Sequence, residues 1–213
     1  MFLKDGEPIV QVEDRFGEKK IYKASSSIGE FKITQPYVLL VNEGSASASE
    51  ILAAAIKEGA GGQIVGTKTY GKGTVQSVVD ITDNSELKYT NAKWLTPKGN
   101  WIHKEGVTPT KEVNLPDYAF LKIIDARETL KVGSVSQNVL SVETILKGLG
   151  YSVTADGYFD EATKNAVKAY QQKEGLTATG EVDEETAQKL MNSVRELIQQ
   201  NDTQYQAAKE LLK

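Results

Sequence analysis

The chain has 213 residues, a formal net charge of -4 and no cysteine. The net negative charge disfavours a nucleic-acid partner, since binding to phosphates relies on lysine and arginine. The absence of cysteine excludes disulfides, thiolate zinc sites and cysteine-protease chemistry. A hydrophobic fraction of 39% with 25% charged residues is typical of an ordinary globular protein, and the length suffices for one medium or two small domains.

The first informative stretch is residues 37–51. The apolar run at 37–41 (YVLLV) predicts a strand buried on both faces of a parallel sheet. Apolar residues recur at helical spacing from Ile51 until Gly59, which predicts a helix. The small residues between them predict a tight turn that holds a hydroxyl at the sheet edge where α/β proteins bind ligands. Serines before Glu50 are equally typical of ordinary helix capping, so the turn alone leaves both interpretations open.

A second unusual segment is residues 66–76 (GTKTYGKGTVQ). Gly66, Gly71 and Lys72 have the offsets of a phosphate-binding loop. However, Gly73 stands where that motif needs serine or threonine, and residues 75–81 are typical of a strand where a helix should follow. Nucleotide binding is therefore only a distant third candidate function for this chain.

A serine nucleophile at the first turn would need a general base. The single histidine, His103, lies in a polar turn at residues 101–106 and is predicted to be solvated. A lysine can serve when its surroundings keep it neutral, and Lys72 lies between two glycines with no acidic residue close in sequence. Gln76 follows four positions later, on the same face of an extended chain, and its neutral amide could hold the amine.

Residues 45–51 (SASASEI) and 66–76, in this order and at this spacing, closely resemble the carboxy-terminal processing peptidases, also called tail-specific proteases. The resemblance implies that Ser47 is the nucleophile, Lys72 the general base and Gln76 the residue that orients it. Ser45 and Ser49 would be supporting residues. It also implies an α/β fold with a partial crotonase-like catalytic core, built from the strand-turn-helix unit and further β-strands, and no cofactor or metal.

The implied chemistry is acyl transfer through an acyl-enzyme, with protein or peptide substrates recognised through their carboxyl-terminal region. The backbone N–H of Ala48, at the helix start, is the candidate donor to the oxyanion. In the family, a glycine-rich segment upstream supplies a second donor. That segment is not evident in this sequence.

The family is generally exported or membrane-anchored and carries a PDZ domain upstream of its core. Residues 1–6 lack the pattern of a signal peptide, and no run is long enough to span a bilayer. Residues 8–12 and 20–24, around a turn at 14–17, resemble a hairpin inside the family's core. We therefore expect the chain to begin within a family member, through truncation or a split gene, and to be weakly active or inactive alone.

The next segments predict strands and turns. Residues 80–85 contain acids and an amide, but their spacing fits no calcium loop and favours a plain turn. Residues 87–96 alternate as in a half-buried strand. Residues 106–113 resemble the end of the family's core, with Thr110 where an acidic residue often stands, and no catalytic role follows from it.

From about Asp117 the sequence is typical of short helices with glycine turns. The segment at 156–163 (DGYFDEAT) is echoed at 179–186 (TGEVDEET), and Asp160 and Asp183 are placed to cap the following helices. Residues 130–190 resemble the small three-helix domains named for binding peptidoglycan. The matching positions are mostly core and turn residues, so glycan binding and a structural or dimerising role both stay open.

These patterns predict a peptidase segment at 1–116, a peptidoglycan-binding-like domain at 117–191 and a helical tail at 192–213 that packs on the peptidase part or on a second subunit. Two function classes follow. One is a Ser-Lys endopeptidase acting on exported or envelope proteins, and the other is a non-catalytic remnant that holds peptidoglycan or a partner chain.

Overall fold

A computed structural model describes residues 1–29, 31–125 and 127–213. The chain divides into two compact units: Met1–Asn114 together with Gln204–Lys213, and Leu115–Thr203. Helices and two sheets give a mixed α/β fold, which confirms the predicted class at that level. Among the described helices, none combines the length and apolarity that a membrane span requires.

The strands are β1 (Pro8–Asp14), β2 (Lys19–Lys23), β3 (Val38–Val41), β4 (Gln63–Gly66), β5 (Thr74–Thr82), β6 (Ser85–Leu95) and β7 (Lys111–Glu112). The α-helices are α1 (Ala48–Ala55), α2 (Gln137–Gly148), α3 (Glu161–Glu174), α4 (Glu184–Gln200) and α5 (Thr203–Glu210). A π-helical turn (Ile56–Ala60) extends α1, and short 3-10 helices occur at Ser26–Ile28 and Asp117–Phe120.

The first unit contains both sheets. One is antiparallel, in the order β2-β1-β6-β5, and the other is parallel, in the order β3-β4-β7. The predicted hairpin at the start and the strands predicted after the lysine loop are present as β1, β2, β5 and β6. α1 contributes to a core of buried residues: Val41, Ala53, Ala54, Ile56, Ile64, Trp94, Ile102 and Val107.

The strand predicted at 37–41 exists as β3, but it is not buried on both faces, since Leu40 remains 41% exposed. β3 lies at the edge of the parallel sheet as described, with a hydrogen-bonded neighbour, β4, along one edge only. Its side chains are therefore covered by fewer neighbours than those of a central strand. An apolar run indicates a strand but does not fix its place in the sheet.

The second unit consists of α2, α3 and α4 around a separate apolar core. Each helix begins at a side chain that accepts a hydrogen bond from the backbone three residues on: Ser136 for α2, Asp160 for α3 and Asp183 for α4. The predicted capping roles of the two aspartates are confirmed.

The internal repeat of the second unit forms two similar sockets. In the first, the carboxylate of Glu143 accepts bonds from the N–H groups of Asp156 and Gly157 and from the Thr163 hydroxyl. In the second, the amide of Gln171 accepts from the Gly180 N–H and donates to the Thr186 hydroxyl. These buried polar side chains fix the turns that precede α3 and α4.

Residues 192–213, predicted as a helical tail, form the last turns of α4 and the helix α5. α4 runs through residue 192, because Val194 continues the stripe of Leu190 and Met191 as a buried helix face. The separate segment is α5, which belongs to the first unit, where the Gln204 amide donates to the Val113 carbonyl (2.9 Å). The structure thus shows α5 packed on the peptidase part.

Candidate active site

Ser47 lies in the turn between β3 and α1, as the N-cap residue of the helix. Its backbone has φ 56° and ψ -113°, and Ser47 and Lys104 are the two non-glycine residues with positive φ in the part of the chain that the structure describes. This conformation is strained for a residue with a side chain and recurs at functional sites. A serine on a strained strand-to-helix turn presents its hydroxyl outward, as a nucleophile requires.

The carboxylate of Glu50 connects this turn to the lysine loop. Its Oε2 accepts the backbone N–H groups of Ser47 (2.9 Å) and Lys72 (2.8 Å), and its Oε1 accepts the Thr69 hydroxyl and the Gly71 N–H (2.6 Å each). Because Ser47 and Lys72 share one oxygen, their backbone nitrogens are less than about 6 Å apart. Glu50 itself is fully buried, so the two segments are joined out of contact with water.

Two glycines allow the loop to lie this close. A Cβ on Gly66, which has φ +135°, would be 1.8 Å from the Val41 carbonyl oxygen. A Cβ on Gly71, at φ +88°, would be 2.9 Å from the backbone nitrogens of Glu105 and Gly106. Any side chain at either position would displace the loop from its neighbours.

The structure brings the backbones of Ser47 and Lys72 together through Glu50, but it does not connect the side chains of the predicted residues. Ser47 and Lys72 are half-buried and Gln76 is exposed. Among the hydrogen bonds of the described residues, none joins the side chains of these three. Catalytic hydrogen bonds are often long before substrate binds, so this separation is compatible with a catalytic role.

The spacing argument for Gln76 does not hold in its simple form. β5 begins only at Thr74, and its register against β6 shifts between Val75 and Gln76. A bulge interrupts the strict alternation of side chains, so the four-residue spacing from Lys72 does not by itself place both side chains on one face.

The N–H of Ala48 has no acceptor among the described residues, whereas the following N–H groups of Ser49 and Glu50 bond to the carbonyls of Ala46 and Ser47. Ala48 is the exposed first residue of α1. An unpaired N–H beside the Ser47 hydroxyl is the donor that an oxyanion requires.

His103 is not solvated as predicted. It is half-buried, its ring stacks on Trp101 with centroids 5.3 Å apart, and its Nδ1 is buried without a hydrogen-bond partner in the part of the chain that the structure describes. The reason is that the turn at 101–106 packs against the lysine loop, where the Lys104 N–H donates to the Gly71 carbonyl (2.8 Å). The phosphate-loop alternative also loses its context, since β5 and not a helix follows Gly73.

The sequence predicts only a capping role for Glu50. The capping contact exists, through the Ser47 N–H, but three of the four donors to Glu50 come from Thr69, Gly71 and Lys72. An acidic residue in the first turn of a helix does not by itself indicate such a distant partner. The position of Glu50 on the apolar face of the helix is the one signal, because a buried carboxylate needs hydrogen-bond donors.

Comparison with protein families then decides the assignment of the chain. The model of peptidase family S41 matches residues 1–113. The chain belongs to peptidase family S41. A second model, "Putative peptidoglycan binding domain", matches residues 135–190.

Curated relatives of this S41 chain are similar along its whole length. It is 43% identical over 213 residues to "Carboxy-terminal processing protease CtpA" of Bacillus subtilis (strain 168), covering 100% of this chain and 45% of the relative. It is 40% identical over 210 residues to "Carboxy-terminal processing protease CtpB" of the same organism, covering 97% and 43%. The chain thus spans less than half the length of these relatives.

Among solved structures, the S41 chain is similar to "photosystem II D1 C-terminal processing protease". The identity is 41%, the TM-score is 0.46, and the match covers 53% of this chain and 29% of the other.

Proposed function

We propose that this chain carries the Ser-Lys centre of a carboxy-terminal processing serine endopeptidase. Ser47 is the nucleophile, Lys72 the general base and Gln76 the residue that orients the amine, on a crotonase-like α/β core. The observation that supports this most directly is the shared Glu50 oxygen, which holds the Ser47 and Lys72 backbones less than about 6 Å apart. Family membership and the names of the relatives agree with it.

The proposed reaction begins when neutral Lys72 takes the proton of the Ser47 hydroxyl. The oxygen attacks a peptide carbonyl, and the Ala48 N–H donates to the oxyanion that forms. The Lys72 ammonium then gives this proton to the leaving amine as the peptide C–N bond breaks. Lys72 next deprotonates a water molecule that attacks the acyl carbon, and it returns that proton to the Ser47 oxygen when the ester bond breaks. Gln76 can hold the amine without adding a charge that would keep it protonated.

The proposed substrates are proteins or peptides engaged through their carboxyl-terminal region, in or near the cell envelope. We propose residues 1–116 as the peptidase segment, 117–191 as the peptidoglycan-binding-like domain and 192–213 as the tail. The envelope location draws its support from the second family match, at 135–190. Homodimerisation through the tail is a further proposal.

A second candidate function is favoured by one observation: the Leu115–Thr203 unit has its own apolar core. In this alternative, that unit holds peptidoglycan or a partner chain and the Ser47 centre is inactive. Soluble peptidoglycan fragments should then bind to the chain while Ser47 stays unreactive.

The test uses a fluorophosphonate, which forms a covalent bond with an activated serine, and a loosely folded protein as substrate. We expect the reagent to label the chain and the chain to cleave the substrate slowly. The rates of labelling and of cleavage should both fall at least about 10³-fold in Ser47→Ala and Lys72→Ala. Ser85→Ala, at the exposed β5–β6 turn, is the matched control and should label as the unmodified chain does. Equal labelling of Ser47→Ala, or no labelling of a folded chain, would contradict the proposal.

A further inference from the structure

Both tryptophans of the chain direct their indole N–H groups at the loop that carries Lys72. Trp94 Nε1 donates to the Lys72 carbonyl oxygen (2.8 Å), and Trp101 Nε1 donates to the Gly73 carbonyl oxygen (3.1 Å). The Trp94 backbone N–H donates to the same Gly73 oxygen (3.0 Å). Two successive carbonyls of one loop are therefore held by the two largest side chains available.

The two indoles are themselves fixed by their surroundings. Trp94 is 2% exposed, on β6, where it pairs with Val12 of β1. Trp101 is 47% exposed, yet its ring stacks with His103 at an interplanar angle of 22° and lies 5.4 Å from the Lys93 ammonium. Stacking and a cation-π contact hold an exposed indole in one orientation.

Lys93, in turn, is anchored by a salt bridge to Glu13 of β1 (2.7 Å). The support of the Trp101 ring therefore extends into the antiparallel sheet. Neither support involves the Glu50 side chain, which reaches the loop from α1.

These contacts leave Lys72 little backbone freedom. Its N–H is bound by Glu50, its carbonyl by Trp94, and the next carbonyl by Trp101. Gly73 fits closely beneath them, since a Cβ there would lie 2.9 Å from Trp101 Nε1 and from His103 Cβ. Because the backbone is fixed on both sides of Lys72, the position of its amine depends only on the torsion angles of its side chain. A general base needs this kind of preorganisation.

We propose that Trp94 and Trp101 are positioning residues for Lys72, acting through their indole N–H groups. This inference rests on the proposed role of Lys72 as general base. The indoles do not touch the reacting atoms. They fix the peptide units on the carboxyl side of Lys72, while Glu50 fixes the unit on its amino side.

Trp101→Phe is the decisive variant, because Trp101 is half exposed and phenylalanine keeps a ring beside His103 and Lys93 while removing the N–H. The rate constant and the binding constant for fluorophosphonate labelling of Ser47 are measured separately, from about pH 6 to about pH 10. We expect the maximal rate constant to fall about tenfold, the effect of one lost hydrogen bond, with the binding constant unchanged. The pH profile should shift, because the amine is less firmly placed.

A folded Trp94→Phe protein should show a larger decrease in the maximal labelling rate constant, of about tenfold to a hundredfold. Tyr89→Phe is the matched control: it lies on the same strand as Trp94, is 43% exposed and loses a polar group while keeping its ring. Its labelling should equal that of the unmodified chain. A Trp101→Phe protein with unchanged rate constant and pH profile would overturn the proposal.

A second measurement separates this inference from the proposed function. Amide hydrogen exchange of residues 66–76 should become faster in Trp101→Phe and not in Tyr89→Phe, whether or not the chain reacts with the reagent. Unchanged exchange would overturn the proposal that the indoles hold the loop. If the unmodified chain is not labelled but exchange becomes faster in Trp101→Phe, the indoles do hold the loop and the assignment of Lys72 as general base is wrong.

Discussion

Glu50 in the first unit and Glu143 in the second are both fully buried, and both bind the backbone of a turn. Glu50 joins segments about 20 residues apart in sequence and accepts four hydrogen bonds, three from backbone N–H groups and one from the Thr69 hydroxyl. Glu143 accepts three, all from the turn before α3 and from that helix itself. One carboxylate joins two segments of a candidate active site, whereas the other holds the turn that precedes α3.

The second unit also shows what a carboxylate is needed for. Its repeated socket contains Gln171 where the first contains Glu143, and the amide satisfies the socket because threonine hydroxyls and a carbonyl accept its N–H groups. All four partners of Glu50 donate, and three of them are N–H groups that cannot accept. The comparison therefore predicts that an amide is tolerated in the second unit and not in the first.

The largest effect is expected for Glu50→Gln. The amide NH₂ would face at least one backbone N–H whichever way it is turned, so a buried donor loses its acceptor. We expect the free energy of unfolding of the first unit to fall by about 3 kcal/mol or more and Ser47 labelling to be lost. Urea unfolding followed beside labelling measures both, and a stable, fully labelled Glu50→Gln protein would break the comparison.

A smaller effect of opposite sign is expected for Glu143→Gln. Burial raises the pKa of Glu143 above its ordinary value, so ionisation of this group weakens the fold as pH rises above about 4.5. The amide removes that cost, and we expect a gain on the order of 1 kcal/mol at neutral pH. The gain should vanish below the ordinary pKa of glutamate, where Glu143 is protonated in both states.

The measurement is the difference in unfolding free energy between Glu143→Gln and the unmodified chain, taken across this pH range. A loss of stability at neutral pH as large as that of Glu50→Gln would show that the two sockets are equivalent after all.

The smallest effects concern the helix caps of the second unit. The pKa values of Asp160 and Asp183 are lowered, mainly by hydrogen bonds from Thr163 and Thr186 respectively. Each aspartate should stabilise the fold at neutral pH and lose that contribution as pH falls below about 3.8.

Replacement of Asp183 by alanine should cost about 1 kcal/mol at neutral pH. Alanine at position 160 should also lower the melting temperature, and asparagine should cost much less at both positions because it still accepts the bond. Thermal unfolding of the four variants tests this. A cost for asparagine equal to that for alanine would indicate that charge, and not capping geometry, is what stabilises these helices.

Local patterns were sufficient for most of the fold. The strand-turn-helix around Ser47, the hairpins and the caps at Asp160 and Asp183 depend on residues within a few positions, and the sequence predicted them. Three features needed the tertiary structure: the exposure of Leu40 at a sheet edge, the burial of His103 against the lysine loop, and the continuation of α4 past residue 192. Each depends on which segment packs beside it, and spacing carries no such information.

The candidate site also contains features that the sequence predicted and features that needed the tertiary structure. Ser47, Lys72, Gln76 and Ala48 were named from motifs and a family resemblance, and their roles remain predictions. The groups that hold them could not be named, because Glu50 meets donors 19 to 22 positions later and Trp101 meets a carbonyl 28 positions earlier. Only the packed fold brings these atoms together.

The placement of the two tryptophans also determines how the protein can be observed by optical spectroscopy. Both lie in the first unit, while the long helices α2, α3 and α4 lie in the second. Tryptophan fluorescence will therefore report on the first unit alone, and far-ultraviolet circular dichroism mainly on the second. If the units melt independently, the two signals will give different midpoints, and a single two-state fit to either one will describe half of the molecule.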